Sequence, residues 1–288
     1  LEGTTDFIIL KDVHLSSSIQ TYFWVAFFIP FVTKMLMFPF HNWMLDKHVI
    51  GPIGTTVMLS CSVANLGGYG FLRLSFSLLP EATVFFAPFM MFLGVLFAIY
   101  GTAIVISFKS FKGLVLCLVF TQTGLILLGM FSLNEQGIQG AIIKILSHSA
   151  VTAGLIICLN ILFERFKLGQ EFQIRKLLNN TPRYLVLNIL LLLAVIGVPG
   201  TSGFIGNFLI VLGAFEHSLI VSVFVFIILI LLIIDVLYIY QHIIFGNVVA
   251  FNKSSIEDLS RHELVVLLPI TCLVFWIGVY PIPVSYTH

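Results

Sequence analysis

Long apolar runs alternate with short polar breaks along almost the whole chain. An α-helix needs about 20 apolar residues to cross the hydrocarbon of a bilayer. Read on that scale, the pattern places eight spans near residues 21–44, 53–78, 84–107, 113–133, 139–163, 184–214, 218–245 and 264–282. The breaks hold the polar signals: HNWMLDKH at 41–48, Lys109 to Lys112, Glu164 to Arg183, and Asn247 to Glu263. The ten-residue alternating segments of a membrane β-barrel are missing. The pattern predicts an all-α polytopic membrane protein.

Two spans differ from the others. The first has Pro30 and Pro39 on either side of Lys34, and the sixth carries Gly197, Pro199, Gly200, Gly203 and Gly206. Proline removes a backbone donor and glycine loosens a helix, so both spans are expected to be broken near the membrane middle. Simple kinks are one reading. The other comes from the spacing: five spans is an odd number, so equivalent helices would run in opposite directions, as in an inverted repeat. That reading divides the chain into a polar segment at 1–20, the end of a first repeat at 21–78, a second repeat at 79–245, and a loop with a C-terminal helix at 246–288.

Composition removes the soluble alternatives. Of 288 residues, 59% are apolar and 9% charged, against about 25% charged in a soluble domain, and the mean hydropathy is +1.10. A net charge of +1 gives no footprint for nucleic acid. Basic residues sort by side. The loops after spans one, three, five and seven hold Lys47, Lys109, Lys112, Arg165, Lys167, Arg175, Lys176, Arg183, Lys253 and Arg261, while the opposite side holds Lys11 and Arg73. This bias turns both termini away from the cytoplasm or matrix. Cys61, Cys117, Cys158 and Cys272 stand singly, with no CxxC pair and no metal-ligand spacing. No GxGxxG follows a strand and no GxxxxGK[ST] occurs, which argues against a nucleotide or iron–sulfur site in this chain. The mixed polar start, from Leu1, is unlike a secretory signal. An unusual start codon, processing and a missing front part remain alternatives there.

Four of the ionisable residues inside the spans, Lys34, Lys144, His148 and Asp235, bear on function. Lys34 lies about 12 residues into the first, near mid-membrane by the 1.5 Å rise of a helix. A lysine at that depth costs about 2.5–3.5 kcal/mol to insert. It should face protein or water, as a functional group or as a partner in a stabilising pair. Lys144 and His148 stand four apart and share one helix face. Lys144 is close enough to the outer end of its span to snorkel, which competes with a functional role. His148 reads either as a neutral structural histidine or, with an ordinary pKa near 6.5, as a proton relay. Asp235 is the one carboxylate well inside a span, and a direct pair with Lys144 is not expected from their depths. Glu81, Glu135, Glu164 and Glu216 stand at span ends and read as solvated.

Several stretches resemble one family. MLMFPFHNWMLDKHVIGPIGTTVMLS followed by NLGGYGFLRLSFSLLPEAT, then GMFSLNEQGIQGAIIKILSHSAVTAGLIICLNILFER and GVPGTSGFIGNFLIVLGAF, and finally IYQHIIFGN and IGVYP, keep its order and spacing from about Gly3 to Pro281. They are similar to the antiporter-like membrane subunits of NADH–ubiquinone oxidoreductase (respiratory complex I), most of all the mitochondrial chain 4 group. The wider family includes bacterial quinone oxidoreductase subunits and multi-subunit sodium/proton antiporters.

The resemblance implies a fold of fourteen spans in inverted five-helix repeats, of which this sequence would hold spans seven to fourteen. A separate chain, or a missing part of this one, would supply the rest, including a glutamate partner for Lys34. It implies a proton path at mid-membrane depth, on which Lys34 and His148 match family residues. Asn65, Gln122 and Asn207 stand where the family usually has lysine, histidine and glutamate; amides hydrogen-bond but do not release protons at ordinary pH. The implied activity is NADH oxidation by quinone coupled to proton export, in the mitochondrial inner membrane with both termini on the intermembrane-space side. Partners would be other membrane-arm subunits and lipids, with no nucleic acid. No redox cofactor is expected in this chain; FMN, iron–sulfur clusters and ubiquinone would belong to partner subunits. Two rival readings are a structural subunit with a weakened path and a sodium/proton antiporter subunit. A last expectation is a rerouted path through His148 and Lys144, with Asp235 adjusting the charge.

Overall fold

The structure, a computed structural model, describes residues 7–11, 13, 15–37, 40, 53–107, 111–166, 181–245 and 258–280. Among the described residues all regular structure is helical. The order is α1 (Phe7–Lys11) and α2 (Ser17–Lys34), then α3 (Ile53–Met58), α4 (Ala64–Gly70) and α5 (Phe76–Leu78). After these come α6 (Pro80–Ser107), α7 (Phe111–Phe131), α8 (Glu135–Phe166), α9 (Pro182–Ile196), α10 (Ser202–His217), α11 (Leu219–Phe245) and α12 (Arg261–Val279). Four of them, at 80–105, 135–161, 219–241 and 261–279, are long and apolar enough to cross a membrane. The stretches 118–131 and 182–196 are shorter apolar helices.

Two features differ from the sequence reading, and the first break is located within the stretch expected for it. The first long helix begins at Ser17, inside the polar segment expected at 1–20, because small polar residues are tolerated in a solvated first turn. It passes straight through the exposed Pro30 and ends at Lys34. The break falls between the two prolines, at Met35–Met37, where Leu36 takes the left-handed φ of 60°, a conformation costing a non-glycine residue about 1–2 kcal/mol. Complete burial of Met35, Leu36 and Met37 holds it there. Pro39 lies outside the described residues. Finally, the run at 53–78 is not one regular α-helix: wide π-turns at Leu59–Val63 and Phe71–Ser75 join α3, α4 and α5. Such turns mark strain or function more often than accident.

Helix α8 is the hub, packed against α7, α9, α10 and α12 and against the first π-turn. Where hydrocarbon surrounds a bundle, close van der Waals contact replaces the hydrophobic effect as the force between helices, and small residues permit it. At Gly124 a Cβ would stand 2.6 Å from Gly94 O and 2.7 Å from Ala98 Cβ, so only glycine lets α6 and α7 meet there. An aromatic cluster joins α2 to this pair: Trp24 stacks on Phe86 at 4.2 Å, and Phe71 meets Phe131 edge-on at 5.5 Å. The turn between α7 and α8 is fixed by Asn134. Its Oδ1 accepts from Gly137 N–H at 2.8 Å, and its Nδ2 donates to Gly213 O on α10 at 2.6 Å.

Candidate functional site

One face of α8 carries Lys144, Ser147, His148, Val151 and Thr152, the three- and four-residue steps that align side chains along a helix. That face lines a small cavity, closed by Leu118 and Gln122 of α7 and by Ala194 and Val195 in the last turn of α9. About 10 Å³ of it takes the centre of a water-sized sphere, roughly the least that holds one water.

The polar groups are buried and partly matched. Lys144 is 2% exposed, so its side chain stays in the interior and the snorkelling alternative is corrected. Helix α10 comes close enough to seal it because residue 206 is glycine: a Cβ there would lie 3.2 Å from the Lys144 backbone. His148, 5% exposed, shares a 3.1 Å hydrogen bond between Nδ1 and Thr152 Oγ1, while its Nε2 has no partner. Gln122 donates from Nε2 to Val195 O at 3.3 Å and leaves Oε1 unpartnered. Ser147 bonds Ser202 at 2.8 Å, tying α8 to the start of α10.

The chain breaks beside this cavity. Helix α9 ends at Gly197, with φ 84°, and Gly200 follows with φ 93°, both in the left-handed region that glycine occupies without penalty. Pro199 is exposed between them. The sixth-span break therefore stands where its glycines and proline placed it. Asn207, one turn into α10, donates back to Ile196 O at 3.2 Å and so braces the two halves; its Oδ1 is unpartnered. On the far side, Asn65 donates to Cys61 O at 2.6 Å and to Ser149 Oγ at 2.5 Å, tying α4 to α8 next to His148.

The structure thus brings Lys144, His148 and Gln122 together, with Asn65 and Asn207 on adjoining contacts. It does not bring in the other two ionisable residues. Lys34 ends α2 and is exposed on the surface of the chain, outside the cavity lining. Asp235 is buried on α11 with Oδ2 unpartnered, and it too is absent from the lining. Thr152 and Ser202 are the polar partners sequence reasoning missed. Thr152 follows His148 by one turn, a legible spacing; Ser202 meets Ser147 across 55 positions and left no local signal. No group of three metal-ligating side chains gathers among the described residues. An ammonium, an imidazole and an amide around room for one water can hold or pass a proton.

Residues 1–233 match the family described as "NADH:quinone oxidoreductase/Mrp antiporter, TM". The chain is 34% identical over 279 residues to NADH-ubiquinone oxidoreductase chain 4 of Chondrus crispus, covering 97% of this chain and 57% of that protein. It is 30% identical over 294 residues to NADH-quinone oxidoreductase subunit M of Rhodobacter capsulatus, covering 98% of this chain and 57% of the relative. A chain of respiratory complex I from Thermus thermophilus with bound NADH superposes with a TM-score of 0.88 at 26% identity, covering 98% of this chain and 61% of that one. The chain therefore spans little more than half the length of the curated relatives it matches. On the match over residues 1–233 and the shared helical arrangement, the chain belongs to the NADH:quinone oxidoreductase/Mrp antiporter transmembrane family.

Proposed function

We propose that the chain is a membrane-arm subunit of a respiratory NADH–ubiquinone oxidoreductase and acts as an antiporter-like module coupling quinone reduction to proton translocation. Its eight spans cross the mitochondrial inner membrane, with the basic loops in the matrix and both termini on the intermembrane-space side. The NADH, flavin, iron–sulfur and quinone chemistry belongs to partner subunits. Helices outside this sequence, from a separate chain or from more of this one, cover the outer face of α2, where Tyr22, Phe23 and Ile29 are exposed, and shelter Lys34.

The observation that carries this reading is the cavity beside the helix break. A buried lysine and histidine one turn apart are costly to keep in apolar surroundings and serve no packing need that a methionine and a phenylalanine would not meet. The rival reading, a structural subunit with its own path closed, also has support. The amides of Asn65, Gln122 and Asn207 all donate to backbone carbonyls, as bracing groups do. His148→Leu in the assembled complex separates the two. A lowered proton-to-electron ratio with quinone reduction retained supports translocation; an unchanged ratio overturns it in favour of the structural reading.

A further inference from the structure

Three polar residues line one small cavity, Lys144, His148 and Gln122, and two of their atoms, His148 Nε2 and Gln122 Oε1, are buried without a hydrogen-bond partner. No carboxylate is among its lining residues; the remaining polar side chains in that lining are Ser147 and Thr152 of α8, both already hydrogen-bonded. A buried water is stable when it has two to four polar partners and just enough room. This cavity offers three partners and space for one water.

We infer that a single internal water, held by Gln122 Oε1, His148 Nε2 and the Lys144 ammonium, makes Lys144 a proton carrier of this chain, in exchange with His148. The inference rests on the translocation reading and assigns a residue to it. With the imidazole donating from Nδ1–H to Thr152 Oγ1, Nε2 is the bare nitrogen. The ammonium gives one proton to the water oxygen as the water gives one of its own to Nε2. An N–H bond at Lys144 breaks and an N–H bond at His148 forms. Lysine ends as a neutral amine, histidine as an imidazolium, and the water is restored. Gln122 stays fixed: its Nε2 is anchored on Val195 O, which leaves Oε1 to accept from the water throughout.

Gln122 is therefore a positioning residue and Lys144 a proton carrier, and the two are tested separately. In the assembled complex reconstituted in vesicles, the proton-to-electron ratio is measured for Lys144→Met, Gln122→Leu and His148→Leu, with NADH:quinone turnover as the control for assembly. Groups in series must lose the same share, so all three variants are expected to fall to one lowered ratio. Lys144→Met at the native ratio with His148→Leu lowered overturns the inference and leaves the translocation reading standing. Native ratios in all three overturn both. Should Lys144→Met fail to assemble, a density map of the native complex at a resolution that shows waters decides the matter. One water within hydrogen-bond distance of Gln122 Oε1 and His148 Nε2 is expected, and a dry or collapsed cavity overturns the inference.

Discussion

Replacing Asn134 tests how α8, which lines the cavity, is held to its neighbour α10. Asn134→Ala removes the cap from the first turn of α8, where Gly137 N–H donates at 2.8 Å, and the bond from Nδ2 to Gly213 O on α10 at 2.6 Å. Loss of a helix cap costs about 1 kcal/mol. A hydrogen bond between membrane helices adds about 0.6 kcal/mol on average. Ser132 keeps its second bond, to Gly129 O at 2.8 Å, and adds little. The total is about 1.6 kcal/mol, and at about 1.4 kcal/mol per tenfold it makes local opening roughly 15-fold more frequent. Hydrogen–deuterium exchange of the amides at 137–138 in the complex reads this directly. Asn134→Asp keeps an oxygen that can cap but loses the amide donor, so its exchange should quicken only about threefold. Less than threefold in Asn134→Ala, or equal rates in the two variants, would refute the division into a cap and a cross-helix tie.

At the contact of α6 and α7, Gly124→Val forces a branched side chain into 2.6–2.7 Å contacts with backbone and Cβ atoms. Overpacking of this kind costs about 1–3 kcal/mol or more, so the assembled complex should be depleted on native gels, whereas Gly54→Ala, with nothing within 4 Å, should leave it at native abundance. Ser260→Ala breaks the capping box with Glu263 at the start of α12 and should weaken that turn by about 1 kcal/mol, read as faster amide exchange near residue 263, while Ser260→Gly should lose only a few tenths. Asp235→Leu removes a buried carboxylate whose Oδ2 has no hydrogen-bond partner. Thermal stability of the complex should hold or rise, and a fall would show that the carboxylate is held by a partner elsewhere in the assembly.

Periodicity and breakers made the helices and the sixth-span break legible, because a glycine needing positive φ and a proline lacking a donor act locally. The first break lies between Pro30 and Pro39, as expected, but Pro30 itself does not make it. Pro30 is the local signal, but its ring sits on an exposed face where the lost bond is tolerated, and the turn at Leu36 depends on burial that no local pattern reveals. The π-turns at 59–63 and 71–75 have no compositional mark. At the site, the four-residue step from Lys144 to His148 was readable along one helix. Gln122 joins them only through the packing of α7, and the choice between a buried and a snorkelled Lys144 was made by Gly206 on a helix 62 positions later.

The unwound stretch at 197–201 also supplies electrostatics that no side chain provides. Helix α9 stops beside the cavity, and the aligned peptide dipoles of a helix leave about half a unit of negative charge at its C-terminal end. Ala194 and Val195, in that last turn, line the same cavity as Lys144. A lysine whose cavity has no carboxylate in its lining thus faces a counter-charge made of carbonyl groups. Such an end stabilises a nearby cation by about 0.3–1 kcal/mol, and by up to about 2 in partly buried settings. A carboxylate 4 Å away, at an effective dielectric constant near 20, would attract it by about 4 kcal/mol. The helix end therefore stabilises a positive charge at Lys144 less than a neighbouring carboxylate would.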